Sequence, residues 1–151
     1  MNLDYLIVRI FNPYGSKQPK NMVIHRFFQA ALKGASIKIF GRGNQTRDFI
    51  YIDDVAKLLS VLIDKKIFQE TINICSGQDF AIRSVAESII NITGSVSSCE
   101  FLSIPKGREN AEIERSYGST LKLETLTGLK PSIGFQEGLK LMYENIILDQ
   151  N

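Results

Sequence analysis

Arg47 stands in Gln45-Thr46-Arg47-Asp48, at the mouth of a segment patterned as a strand. Its guanidinium could grip phosphate oxygens with a planar fork of N–H donors, which is how arginine recognises anions. It could equally be a surface arginine paired with Asp48, since most exposed pairs are merely solvated. Asn12 ends an apolar run, Tyr5–Phe11 (YLIVRIF). In open α/β sheets ligands gather beyond the carboxyl ends of strands, where an amide can bond a ligand oxygen. The competing reading is an Asx-type turn into Pro13. Arg108, in Lys106-Gly107-Arg108-Glu109-Asn110, is a cation in a polar loop and reads by itself as solvated. His25 is the only histidine, and with Cys75 and Cys99 far along the chain it makes no metal-ligand spacing. It is expected on a helix surface. No Ser–His–Asp or Cys–His arrangement is evident.

Gly41-Arg42-Gly43-Asn44-Gln45-Thr46 follows a short strand pattern, Ile37–Phe40, and superficially resembles a dinucleotide fingerprint. That motif must open a helix, so that the pyrophosphate meets the helix N-terminus. Here the following Asp48–Ile52 is strand-patterned and Thr46 replaces the third glycine. The segment is read as a turn between two strands.

The elements that must hold these residues alternate. Tyr5–Phe11 suits a strand buried on both faces, and Asn12-Pro13-Tyr14-Gly15 breaks it. Val23, Ile24, Phe27, Phe28 and Ala31 fall on one helical face, closed by Lys33-Gly34. Thr46–Ile52 reads as one half-buried strand, with Asp53 or Asp54 capping a helix whose stripe is Val55, Leu58, Leu59 and Leu62. Thr71–Cys75 is a strand. Ala81–Thr93 is a helix with Ile82, Val85, Ala86, Ile89 and Ile90 inward. Cys99–Ile104 is strand-like and 105–114 a polar loop. A short helix from Ser119 to Thr127 and a final amphipathic one through Phe135, Leu139, Met142 and Ile146 complete the pattern. Strands alternating with helices predict an α/β fold.

The chain of 151 residues is one domain's worth, with 44% hydrophobic and 23% charged residues. That composition argues against disorder. A net charge of +2 with no basic block argues against nucleic acid. No apolar run reaches the ~18 residues of a membrane span. The start, MNLDYLIVRIF, lacks a basic leader segment and cleavage site. The expectation is a cytoplasmic protein with two buried, reduced cysteines.

Taken in order, Arg9–Gly15 (RIFNPYG), Ile39–Ala56 (IFGRGNQTRDFIYIDDVA), Asn73–Gly77 (NICSG) and Leu126–Pro131 (LTGLKP) carry a resemblance over essentially the whole chain. Together they resemble the second half of the NAD-dependent nucleotide-sugar epimerase/dehydratase family, the UDP-glucose 4-epimerase-like extended short-chain dehydrogenase/reductases. The resemblance implies the last strands of a Rossmann-type sheet plus a small α/β substrate-binding subdomain, with residues 1–151 forming a single C-terminal nucleotide-sugar-binding domain.

It further implies a UDP- or dTDP-sugar as ligand. Asn12 would bond the diphosphate or sugar oxygens. Arg47 and Arg108 would neutralise the diphosphate. Backbone N–H groups at Val23 and Ile24 would point at it, Lys38 and Phe40 would flank the nucleobase, and the backbone near Phe11 would face the nicotinamide. The sequence departs from the family pattern in Arg108-Glu109-Asn110-Ala111-Glu112, where relatives show Arg-x-Gly-Asp, and at Ser119, where many show aspartate. The family's Tyr-x-x-x-Lys pair has no match: four residues after Tyr5, Tyr14, Tyr51, Tyr117 and Tyr143 stand Arg9, Gln18, Val55, Leu121 and Ile147. The glycine-rich cofactor turn has none either, and the chain opens where the strand after the catalytic helix would open. The expectations are therefore no catalytic residue, no metal, NAD in the intact family but none held by this chain, and no turnover by it alone. The alternative is a non-enzymatic module that docks or swaps through exposed sheet edges.

Overall fold

Apolar residues at helical spacing form the larger of two cores. The structure, a computed structural model, describes residues 3–107 and 113–149. In α1 (Val23–Leu32), Ile24, Phe27, Phe28 and Ala31 are buried, and Gly34 takes a positive φ just beyond the C-cap Lys33. This face packs on β3 (Ile37–Phe40) and on α3 (Ile82–Thr93), whose Val85, Ala86 and Ile89 are fully buried while Ile90 is half-buried. α5 (Phe135–Leu148) closes the cluster with Phe135, Leu139 and Met142. Tyr14 lies at its centre, edge-on to Tyr51 and Phe49, and its hydroxyl donates to the Phe135 carbonyl at 3.1 Å. Burial raises its phenol pKa. α5 comes this close because Gly138 has no Cβ: one built there would lie 2.9 Å from the Tyr14 ring and 3.0 Å from Tyr51.

The second core lies under a parallel pair, β1 (Leu6–Ile10) and β6 (Glu70–Ile74). Leu6, Val8, Ile72 and Ile74 meet Val55, Leu58 and Leu62 of α2 (Ile52–Asp64) and Leu123 of α4 (Leu121–Thr127). Leu59 is half-buried. The expectation that β1 is buried on both faces is corrected. Ile7 is 50% and Ile10 40% exposed, because among the described residues β1 pairs only with β6 and one face and one edge lie open.

Short strands join the cores. β2 (Pro13–Tyr14) pairs in parallel with β5 (Ile50–Tyr51), and β3 with β8 (Cys99–Leu102). β4 (Thr46–Asp48) is flanked by β7 (Asp79–Ala81), antiparallel, and β9 (Arg115–Ser116), parallel. The α/β class is as expected. The single strand Thr46–Ile52 is not: the chain turns at Phe49, sends β4 and β5 into different sheets, and starts α2 at Ile52. Phe49, Ile50 and Tyr51 are all buried, which a straight strand with one wet face would forbid.

Neither Asp53 nor Asp54 caps α2, whose N-cap is Tyr51. Asp54 is buried instead and accepts from Ser132 N, Ser132 Oγ and Ile133 N at 2.8–2.9 Å, clasping the approach to α5. The fourth helix starts at Leu121 rather than Ser119. His25 is half-buried rather than on the surface, and burial first and Lys20 second lower its pKa. Cys75 is buried as expected, whereas Cys99 is only partly so; both are free. No helix among the described residues is long and apolar enough to cross a membrane.

Candidate functional site

The seam between the two cores is where β1 ends. Asn12, at its tip, has φ 25°, a left-handed conformation that asparagine tolerates better than most residues. Its Nδ2 donates to the Asp48 carbonyl at 2.7 Å, which ties β1 to β4. That bond leaves Oδ1 and the second amide proton for another partner. Non-glycine residues in such backbone regions gather at ligand sites, where the surroundings over-determine them.

Asp48 decides how β4 presents its neighbours. Its carboxylate is fully buried and points to the β6 side. Oδ1 accepts from Ser76 N and Ser76 Oγ, both at 2.8 Å, and Oδ2 from Gly77 N at 3.1 Å and Gly118 N at 3.2 Å. Gly118 reaches it because a Cβ there would lie 2.6 Å from Cys75 Sγ and 3.1 Å from the Phe11 ring. Cys75 is thereby sealed, and burial, with Asp48 nearby, pushes its thiol up to about 11.

The pairing of Arg47 with Asp48 is thus overturned: successive strand residues face opposite sides, and the aspartate is occupied. Arg47 Nη1 donates to the carbonyls of Thr46 at 2.8 Å and Ile113 at 2.6 Å. Among the described residues it makes no ion pair. Toward the described residues Nε and Nη2 therefore keep three N–H donors unused, which a ligand could take.

Asn12, Val23, Lys38, Phe40 and Arg47 line one cleft of about 220 Å³. Lys38 and Phe40 are two apart on β3 and so share a face. Met22, the N-cap of α1, makes no side-chain capping bond, which leaves the first-turn N–H groups at Val23 and Ile24 without a side-chain acceptor. The Ile24 side chain itself is buried in the core. Two polar residues of the cleft escaped the sequence reading. Arg26 lies three residues past Val23, on the same helical face, a spacing that could have found it. Gln45 donates from Nε2 to the Phe40 carbonyl at 3.2 Å and offered no local signal.

Among the described residues the cleft carries Arg26, Lys38 and Arg47 and no carboxylate, so it suits an anion with an apolar, ring-bearing end against Phe40. Phe11 is not brought in; its N–H donates to the Ile74 carbonyl at 2.9 Å and its ring faces Gly118. Arg108 lies outside the described residues. Among the described residues no three His, Cys, Asp or Glu side chains group as a metal site requires.

A sequence profile described as the NAD dependent epimerase/dehydratase family matches residues 1–75. The chain is 34% identical over 145 residues to UDP-N-acetyl-alpha-D-glucosaminuronate decarboxylase of Bacillus cytotoxicus, covering 91% of this chain and 44% of that protein. It is 33% identical over 139 residues to UDP-glucuronate 4-epimerase of Thermodesulfobacterium geofontis, covering 91% and 42%. Its fold matches UDP-glucose 4-epimerase of Thermotoga maritima, solved with UDP-glucose, at a TM-score of 0.89 and 27% identity, over 99% of this chain and 48% of that one. It also matches UDP-glucuronic acid 4-epimerase of Bacillus cereus, solved with UDP-glucuronic acid and NAD, at a TM-score of 0.84 and 31% identity, over 95% and 45%. The chain spans less than half the length of these relatives.

Proposed function

We propose, for a chain that belongs to the NAD dependent epimerase/dehydratase family, that it supplies the substrate-recognition half of a nucleotide-sugar epimerase or dehydratase and seats the nucleoside diphosphate of a UDP- or dTDP-sugar. One observation carries this reading: Asn12, Arg47, Lys38, Phe40 and the uncapped start of α1 converge on a single cleft that is free of carboxylates among the described residues. Arg47 and the Val23 and Ile24 N–H groups take the diphosphate oxygens, with the helix dipole adding to the attraction. Lys38 and Phe40 border the nucleobase, Asn12 bonds an oxygen at the sugar end, and Arg108 joins Arg47 in neutralising the diphosphate. The cavity lies below the ~300 Å³ typical of complete ligand sites, so it is a partial seat and binding by this chain alone is weak.

The chain's own residues do not fit the dinucleotide. Gly41–Thr46, its one glycine-spaced turn after a strand, runs into β4 and not into a helix N-terminus. With no Tyr-x-x-x-Lys pair and no such seat, the chain by itself performs no turnover; its part is to bind and orient the substrate.

The test is calorimetric titration with UDP-glucose and dTDP-glucose, comparing Arg47→Ala with the unsubstituted protein. Loss of a charge-assisted arginine–phosphate pair should weaken binding about 10- to 100-fold. Equal affinities would remove Arg47 from the site. A second reading, a docking module, draws on the open edge of β1 with Ile7 and Ile10 exposed. Light scattering that gives a dimer without nucleotide-sugar affinity would favour it.

A further inference from the structure

β4 carries Arg47, and the neighbours of β4 fix where that guanidinium goes. Asp79 of β7 sits across β4 from Arg115 of β9 yet reaches it, with Arg115 Nε donating to Oδ2 at 2.8 Å and Nη2 to Oδ1 at 3.1 Å. This two-bond fork fixes orientation as well as distance. Thr46 Oγ1, between them, donates to the same Oδ2 at 2.5 Å. Arg115 also lies over the Tyr117 ring, 4.9 Å from its centre. The carboxylate therefore pins three strands at one point.

The two carbonyls that hold Arg47 belong to the pinned segments. One is that of Thr46, whose own hydroxyl is on Asp79. The other is that of Ile113, two residues before Arg115. Thr46 N also bonds the Glu114 carbonyl at 2.8 Å, so 113–116 runs beside β4 in a single register. Asp79 lines a neighbouring cavity with Arg115 and does not line the cleft that contains Asn12 and Arg47.

We infer that Asp79 is a positioning residue for the anion site: through Thr46 and Arg115 it sets the two carbonyls that aim the Arg47 guanidinium into the cleft. The inference rests on the reading of Arg47 as a diphosphate ligand. Without the clasp, Arg47 keeps its charge but samples several rotamers, and the entropy of ordering it falls on each binding event.

The test is a double-mutant cycle with UDP-glucose as the probe, read by chemical-shift titration, which resolves weak binding. Asp79→Asn should weaken binding about 3- to 10-fold. In an Arg47→Ala background it should change nothing, because the residue it acts through is gone. A loss from Asp79→Asn that persists in that background would show a general structural role and overturn the inference. So would full affinity in Asp79→Asn alongside a large loss in Arg47→Ala. If Arg47→Ala itself binds as the unsubstituted protein does, the diphosphate reading has failed first, and the inference with it. Arg115→Gln repeats the cycle from the other side of the fork should Asp79→Asn not fold, and must give the same non-additivity. Asp79→Glu, which keeps the charge, should restore part of the affinity.

Discussion

Asp48→Asn removes one charge and one acceptor from a fully buried group, and the hydrogen bonds around it set the cost. The new amide must choose an orientation. With its oxygen at the Oδ1 position, its NH2 faces the N–H groups of Gly77 and Gly118, and neither backbone can turn away. With its oxygen at the Oδ2 position, its NH2 faces Ser76 N and Ser76 Oγ, and the hydroxyl can rotate to accept. The second arrangement is cheaper and strands one N–H, at about 1–3 kcal/mol. The two surviving bonds lose their charge assistance, at about 1 kcal/mol each. Relief from burying a charge offsets part of this, leaving about 2–4 kcal/mol. A domain of this size should lose about 6–12 °C in Tm. Urea unfolding followed by far-UV circular dichroism measures it, as the chain has no tryptophan. A loss below about 0.5 kcal/mol, the range of ordinary surface changes, would mean that the four donors are not held by this carboxylate.

Two further outcomes follow from the same geometry. Gly118→Ala should destabilise by about 1–3 kcal/mol, since its Cβ would lie 2.6 Å from Cys75 Sγ and 2.7 Å from Cys75 Cβ, and a neutral Gly118→Ala in denaturant melts would refute the close approach. Asp79 has its carboxyl lowered to about 2, first by the Arg115 hydrogen bonds and then by Thr46. A depressed folded-state pKa gives stability that is present above the unfolded value near 3.8 and lost as pH falls through about 2, so the stability difference between the unsubstituted protein and Asp79→Asn should shrink steadily below pH 4 and be flat above pH 5.

Periodicity made the helices legible. Ile24, Phe27, Phe28 and Ala31 announce α1, and Val85, Ala86 and Ile89 announce α3, because a helix facing one core repeats its apolar residues every turn. The break inside the stretch from Thr46 to Ile52 was illegible. Phe49 and Tyr51 face one core and Ile50 the other, so the alternation holds, but with both faces buried it gives no sign of the turn at Phe49. β7 and β9, only three and two residues long, carry too few positions to show alternation. In the cleft, Asn12 and Arg47 were candidates from residue type and position, Lys38 and Phe40 came from resemblance, and the structure brings the four together. The clasps of Asp48, Asp54 and Asp79 could not be read, because a clasped carboxylate is recognised by the donors that surround it, and those belong to segments up to 79 residues away.

The loop that leads to the anion cleft leans on a helix made much later. Tyr14 and its partner carbonyl at Phe135 are 121 residues apart. On a ribosome adding about 5–20 residues each second, β1 and α1 would emerge on the order of 10 seconds before α5 could meet them. Through that interval Tyr14, Phe49 and Tyr51 have no lid. The nascent chain must carry an uncovered aromatic cluster, and the loop beside it settles only once α5 has docked.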